Sequence, residues 1–186
     1  MKLLIGLGNK GDLYQKTIHN MGFLYLDQIS QIRSLVWTQK HKLKSFLAFS
    51  KNYILCKANN FMNLSGESIA LVSNYYKILP NNILVFHDDI DINFSDLKFK
   101  FGGGNAGHNG LKSLDQYLRS CDYFRLRLGV GKPPNMDISK YVLSNFTPEQ
   151  LIKIEKKVIA LEKFLDLFLN NEVELFKQKI SHLNLE

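Results

Sequence analysis

The chain has 186 residues, 45% hydrophobic and 22% charged, which suits one domain burying roughly 70% of its unfolded surface and leaves little room for extended disorder. No run approaches the ~18 unbroken apolar residues of a membrane span, and the N-terminus enters a strand and a glycine turn rather than a signal peptide, so a cytoplasmic location is expected. The two cysteines, Cys56 and Cys121, lack a C-x-x-C pair and speak against a disulfide framework or zinc cluster, while a net charge of +7 favours a polyanionic partner.

MKLLIGL reads as a first strand. The Gly6-x-Gly8-x-x-Gly11 that follows has the spacing of a dinucleotide fingerprint, which needs a helix starting inside the glycine loop and an acid closing the second strand. Neither is present. Lys10 to His19 is polar without an apolar stripe, so the helix is expected only from Asn20 to Ile32, and the second strand ends without an acid. The glycines are expected to serve a tight strand exit with close backbone packing, which makes Asn9 between them the residue of interest. LKSFLAFS and YILCKA follow as two strands joined at Lys51-Asn52, a hairpin without a turn glycine. A helix is expected from about Glu67 to Lys77 with Ser65 as its cap, and NILVFHDD is a buried-type strand ending in acids.

LKFKF alternates, setting Leu97, Phe99 and Phe101 opposite Lys98 and Lys100, and FRLRLGVG sets Arg125 and Arg127 opposite Phe124, Leu126, Leu128 and Val130. Two basic stripes facing away from the apolar side are expected. Between them GGGNAGHNG runs into a helix from Leu111 to Arg119, and its glycines either cradle a phosphate through backbone amides or turn the chain. Thr147-Pro148-Glu149-Gln150 predicts a capped helix to about Asn170, followed by a shorter one from about Glu172 to His182. The alternation predicts an α/β fold: a single-domain three-layer α/β/α sandwich over 1–186, with a mixed, twisted sheet flanked by helices and 147–186 as a helical segment packed on it.

Polar clusters fall at strand ends: Asn9 with Tyr14, His19-Asn20, Phe61-Met62-Asn63, and His87-Asp88-Asp89 with Asp91, joined by His108-Asn109. In open α/β sheets such ends converge on one crevice, and a histidine oriented by a carboxylate works as a general base near neutral pH. His19 with Asp88 is such a pair. Other readings stand beside it. His41 and His182 read as surface residues and His87 as packing, while HDDID offers Asp88 and Asp91 to a divalent metal, although the spacing alternates faces. Ser65 lacks a nucleophile elbow and Cys56 lies mid-strand, so covalent catalysis has weak support.

IGLGN, TIHNMGF, FMNLSG, HDDIDI, KFKFGGGNAGHNGLKSL, FRLRLGVGKPP and YVLSNF, in this order from Met1 to about Phe146, resemble the bacterial peptidyl-tRNA hydrolase family. The resemblance implies a monomeric enzyme, without metal or cofactor, that hydrolyses the ester joining a peptide to the 3′ end of tRNA. It implies His19 as the base that activates water, Asp88 as the group holding that imidazole, Asn63 as orienting water or substrate and steadying the oxyanion, and Asn9 as sensing the blocked amino group. By the same resemblance Tyr14, Phe61, Asn63 and Asn109 line the tRNA 3′ end, with Met62 and His108 as neighbours in the cleft. Lys98, Lys100, Arg125, Arg127 and Lys132 are expected to meet tRNA phosphates. Lys10 departs from the family's usual proline, Ile18 from arginine, Asn59-Asn60 from a threonine-containing lead, and Asn93-Phe94-Ser95 from a turn bearing proline and glycine. Two alternatives stay open: an RNA-binding relative without hydrolysis, and a metal-dependent phosphohydrolase built on HDDID.

Overall fold

In the computed structural model, which describes residues 1–133, 135 and 137–184, the aliphatic run Lys2–Gly6 forms β1, buried along its whole length. It pairs in parallel with β4 (Tyr53–Ala58) on one side and β5 (Ile83–Asp89) on the other. Beyond β4 lie β3 (Ser45–Phe49) and the short β2 (Thr38–Lys40), both antiparallel to their neighbours. Beyond β5, β7 (Phe124–Gly129) is parallel and the edge strand β6 (Leu97–Phe101) antiparallel, giving the order β2-β3-β4-β1-β5-β7-β6. Interior parallel strands are covered on both faces, which is why β1 and β5 read as continuous apolar runs rather than alternations.

Helices α1 (Met21–Ile32), α5 (Pro148–Leu169) and α6 (Val173–His182) cover one face, where Met21, Tyr25, Phe86, Val158, Phe168 and Phe176 share a buried cluster. Helices α2 (Ser65–Tyr75) and α3 (Asn109–Leu118) cover the other over Leu3, Ile5 and Val85. The result is the expected α/β/α arrangement around a mixed sheet. No helix among the described residues is long and apolar enough to cross a membrane.

The hairpin turns at Lys51-Asn52 with Ser50 N–H donating to Tyr53 O at 3.0 Å, and neither turn residue takes a positive φ, so no glycine is required. The capping box of Thr147 and Gln150 starts α5 as expected. Helix α2 starts earlier than its periodicity suggests, because the 3-10 turn Met62–Leu64 runs straight into it. Ser65 therefore lies inside the first turn with a buried, unpartnered hydroxyl instead of capping it. Strand β2 and helix α4 (Ile138–Val142) are too short to carry a sequence period and were not expected.

The opening glycines are contact points. A Cβ on Gly6 would sit 2.5 Å from Gly22 O, one on Gly8 2.7 Å from the Phe23 ring, and one on Gly22 2.6 Å from Leu7 N while overlapping Phe86 O. The exit of β1, the start of α1 and the end of β5 thus touch backbone to backbone. Gly66 does the same for α2 and α3: its N–H donates to Ser113 Oγ at 2.9 Å, and a Cβ there would overlap Ser113 O. Gly66→Ala is expected to push the two helices apart and cost about 1–3 kcal/mol, a fall of several degrees in the thermal midpoint. Gly104→Ala, whose Cβ would meet no heavy atom within 4 Å, is expected to change stability by less than about 0.5 kcal/mol in the same melting experiment.

Candidate active site

The chain leaves β1 for β4 on one side and returns to β5 on the other, so the strand order reverses at β1 and a crevice opens beyond the carboxyl ends. The loop after β1 brings Asn9, the 3-10 turn Ile18–Asn20 brings His19, and the turn Met62–Leu64 brings Met62 and Asn63. Asp88 comes from the end of β5, and His108 and Asn109 from the start of α3.

Asn9 is buried and fixed on three sides. Its N–H donates to Asn20 Oδ1 at 2.8 Å and its carbonyl accepts from Asn20 Nδ2 at 2.9 Å, so one side chain serves as a strand partner. Its own Oδ1 accepts Met62 N–H at 2.8 Å, which leaves Nδ2 as the free end. Asn20 is a residue of helix-capping type directly before α1, but its side chain makes no cap bond and holds Asn9 instead. Lys10, where the family pattern usually has proline, donates its N–H to Asn60 O at 3.1 Å, a bond proline could not make. Phe61 stands exposed beside Tyr14, ring centroids 6.3 Å apart, with Lys10 Nζ 5.5 Å from the Phe61 centroid. Asn63 and Asn109 are exposed, and Asn109 lines the same cavity as His19 and Asp88.

The centre is the Asp88 carboxylate, 3% exposed. His19 Nδ1 lies 2.9 Å from Oδ2 and 3.1 Å from Oδ1, and His108 Nε2 lies 3.1 Å from Oδ1. Burial by itself would raise this carboxyl, but the fields of His19 and His108 and their hydrogen bonds outweigh it and hold Asp88 well below the usual carboxylate range. His19 thus points Nδ1–H at the acid, and its Nε2 has no partner among the described residues and is open to the crevice. His108 accepts the Gly110 and Leu111 amides on Nδ1 at 3.1 and 3.4 Å, so its proton is on Nε2. His87, also buried, donates Nδ1–H to Asp88 O at 2.8 Å and leaves Nε2 unpartnered.

His19, Asp88 and His108 offer three metal-type donor atoms within 4.8 Å of one another. As the rings stand they do not fit an ion: freeing His108 Nε2 would move its proton to Nδ1, against the two amides of α3. The HDDID alternative fares no better, since Asp88 faces the histidines while Asp91 pairs with Lys132 at 2.7 Å. Cys56 is buried in β4, and burial pushes its thiol up to about 12, so it offers no nucleophile at neutral pH.

Register places Lys98 beside Arg127 and Lys100 beside Arg125, so all four cations share one face of the β6/β7 ribbon. They are not equivalent. Arg125, expected on an exposed stripe, is 2% exposed and donates to Gly103 O at 2.6 Å and Gly104 O at 2.7 Å, clamping the glycine loop. Arg127 is partly buried on Asp89 at 2.7 Å, while Lys98 and Lys100 are exposed. A cavity of about 470 Å³ runs from His19 and Asp88 past His108 to Lys100 and Arg127, bounded on the far side by Ile138 and Val142 of α4.

The family model described as Peptidyl-tRNA hydrolase matches residues 3–186. A peptidyl-tRNA hydrolase from Rickettsia bellii is 42% identical over 185 residues, covering 97% of this chain and 100% of the relative. One from Wolinella succinogenes is 44% identical over 172 residues, covering 89% of this chain and 88% of the relative. The solved structure of peptidyl-tRNA hydrolase from Acinetobacter baumannii superposes with a TM-score of 0.91 at 27% identity, covering 97% of this chain and 94% of that one.

The buried His87 gives the site a measurable acid sensitivity. Burial first, and the facing His108 second, lower its imidazole to about 3, against ~6.5 in an unfolded chain. Between those values the unfolded state binds the extra proton, so this contribution to stability is full above about pH 6.5 and falls as pH drops toward 3, by up to ~1.4 kcal/mol per pH unit. Urea unfolding at about pH 7 and about pH 5 is expected to show the fall in the unaltered protein and a slope shallower by roughly 1 kcal/mol per unit in His87→Gln. Equal slopes in the two proteins would refute the assignment.

Proposed function

The chain belongs to the peptidyl-tRNA hydrolase family, and from that premise we propose that it cleaves the ester between a peptide and the 3′ end of tRNA with a water that His19 deprotonates. The observation that carries this reading is the His19–Asp88 pair, with Nδ1 on the carboxylate and Nε2 turned to the crevice. Nε2 takes a proton from water, whose oxygen attacks the ester carbonyl to give a tetrahedral oxyanion. On collapse the bond to the 3′ oxygen breaks and the proton passes from the imidazolium to that oxygen, giving free tRNA and a peptide carboxylic acid, which releases its remaining proton to solvent and leaves as the carboxylate. Asp88 stays ionised throughout as counter-ion to the imidazolium. The exposed carboxamides of Asn63 and Asn109 are the candidate donors to the oxyanion.

Asn9 supports a preference for blocked substrates. Because Met62 N–H occupies its Oδ1, the carboxamide presents only the Nδ2 donor. A carbonyl acylating the substrate's amino group accepts from such a donor; a free ammonium has no acceptor to offer it. Tyr14 and Phe61 provide aromatic surface for the terminal bases. Lys98 and Lys100 meet the phosphates, with Arg127 beside them already paired to Asp89, and such contacts suit a substrate class of many sequences because they read charge rather than bases. The reading has the protein act in the cytoplasm as a monomer, without metal or cofactor.

The deciding measurement compares N-acetyl-aminoacyl-tRNA with free aminoacyl-tRNA, with and without chelator. Preferential cleavage of the blocked ester, indifferent to chelator, is expected, and His19→Ala should lower kcat by roughly 10²–10⁴ while tRNA binding persists. Loss of activity with chelator points to the metal reading, and binding without turnover to a non-hydrolytic relative. Lys100→Ala is expected to raise KM and lower the slope of log affinity against log salt by about one, with kcat little changed. An unchanged salt slope would remove Lys100 from the phosphate contacts.

A further inference from the structure

We infer that His108 is a positioning residue, acting at once on the Asp88 carboxylate and on the first turn of α3, and not a side chain that contacts tRNA. The inference rests on the hydrolase reading above. Both ring nitrogens are committed: Nδ1 accepts Gly110 N–H at 3.1 Å and Leu111 N–H at 3.4 Å, and Nε2 donates to Asp88 Oδ1 at 3.1 Å. The side chain is only 10% exposed, so neither polar atom is left for a nucleotide or a peptide.

Three consequences follow from this geometry. Asn109 is the first residue of α3, so its place in the cavity wall depends on the cap that His108 supplies. Asp88 Oδ1 lies 3.1 Å from both His19 Nδ1 and His108 Nε2, so the carboxylate charge is divided between two rings whose centroids are 4.8 Å apart. The titratable groups facing the His108 ring are His19 from the turn before α1, and Asp88 and His87 from β5, the latter 5.2 Å away. Around the adjoining cavity stand Asp89, Asp91, Lys100 and Arg127. A proton on Nδ1 would oppose two amides at the positive end of a helix, so the proton drawn from water remains on His19.

His108→Asn separates the two roles. Asparagine is a good N-cap and keeps the start of α3, but it lacks the ring that carries a donor across to Asp88. A hydrogen bond to a charged group corresponds to roughly a ten- to hundredfold effect, so kcat on N-acetyl-aminoacyl-tRNA is expected to fall by about that factor, with KM within about twofold of the unaltered protein. With the carboxylate charge falling undivided on His19, the imidazolium is held more tightly, and the acid limb of the kcat/KM profile is expected to move to higher pH. His108→Ala loses the cap as well and should add a rise in KM as Asn109 is released; should it fold poorly, the asparagine variant decides alone. Unchanged kcat and pH profile in His108→Asn would overturn the inference, as would a rise in KM alone, which marks direct substrate contact. Absence of cleavage by the unaltered protein overturns the hydrolase reading and the inference with it, whereas cleavage by it with an unaffected His108→Asn overturns the inference only.

Discussion

An ionised carboxylate almost sealed from water has to be paired, and the Asp88 charge at the end of β5 sets that demand on the rest of the structure. Its partners come from distant points of the chain, one from the turn before α1 and one from the start of α3. Each histidine arrives on a segment that must press close to its neighbours, and each is followed at short range by a glycine. Gly22, after His19, lets α1 rest on the backbone of β1 and β5; Gly110, after His108, lies where a Cβ would be 2.5 Å from Met62 Sδ. The close approaches that make the fold compact at this end are the ones that bring two imidazoles to a single acid.

Three histidines stand around that acid, and backbone groups sort them. His87 gives Nδ1–H to a carbonyl and stays uncharged in its buried site; His108 takes two helix amides on Nδ1 and sends its proton to Asp88. The free Nε2 of His87 is buried, so among the described residues only His19 keeps an uncommitted nitrogen that faces the crevice. The site therefore contains one available base rather than three competing ones, although all three rings lie within a short distance of one another. Low dielectric strengthens each of these assignments, because an imidazole in the wrong tautomer would leave two donors or two acceptors facing each other without water to relieve them.

Long, periodic or strongly capped elements were legible in the sequence. The continuous apolar runs of β1 and β5 mark interior parallel strands, and Thr147-Pro148 with Gln150 marks the start of α5. The start of α2 was not, because a 3-10 turn has no separate signature and simply prolongs the helix backward to Ser65. In the site, the strand-end rule pointed to His19 and Asp88 as a pair, and the two lie 2.9 Å apart in a cavity that Asn109 also lines, whereas Asn9 lines a second pocket. What the side chains of Asn20 and His108 bind was hidden. An asparagine before an apolar helix looks like a cap, yet here the nearer demand is the pair of backbone groups on Asn9. Roles of that kind are set by residues far along the chain, which no local pattern records.

Arg125 and Arg127 carry the same lesson to the basic ribbon. In sequence they are alternate members of one stripe. In space the glycine loop folds back over Arg125, turning the carbonyls of Gly103 and Gly104 toward its guanidinium. Gly102, Gly103, Ala106 and Gly107 all take positive φ, so the loop has little regular hydrogen bonding of its own and depends on that clamp. Carbonyls gathered on a cation make poor anion ligands, and this weighs against a phosphate cradle at Gly103 and Gly104 and in favour of a support that delivers His108 and Asn109 to the crevice. Arg127 is likewise occupied by Asp89. Attraction for a polyanion then falls chiefly on Lys98 and Lys100, whose flexible ammonium groups act as point charges without a fixed hydrogen-bonding plane. A ribbon of this kind suits a phosphate backbone without demanding a particular sequence, because point charges read the backbone and not the bases.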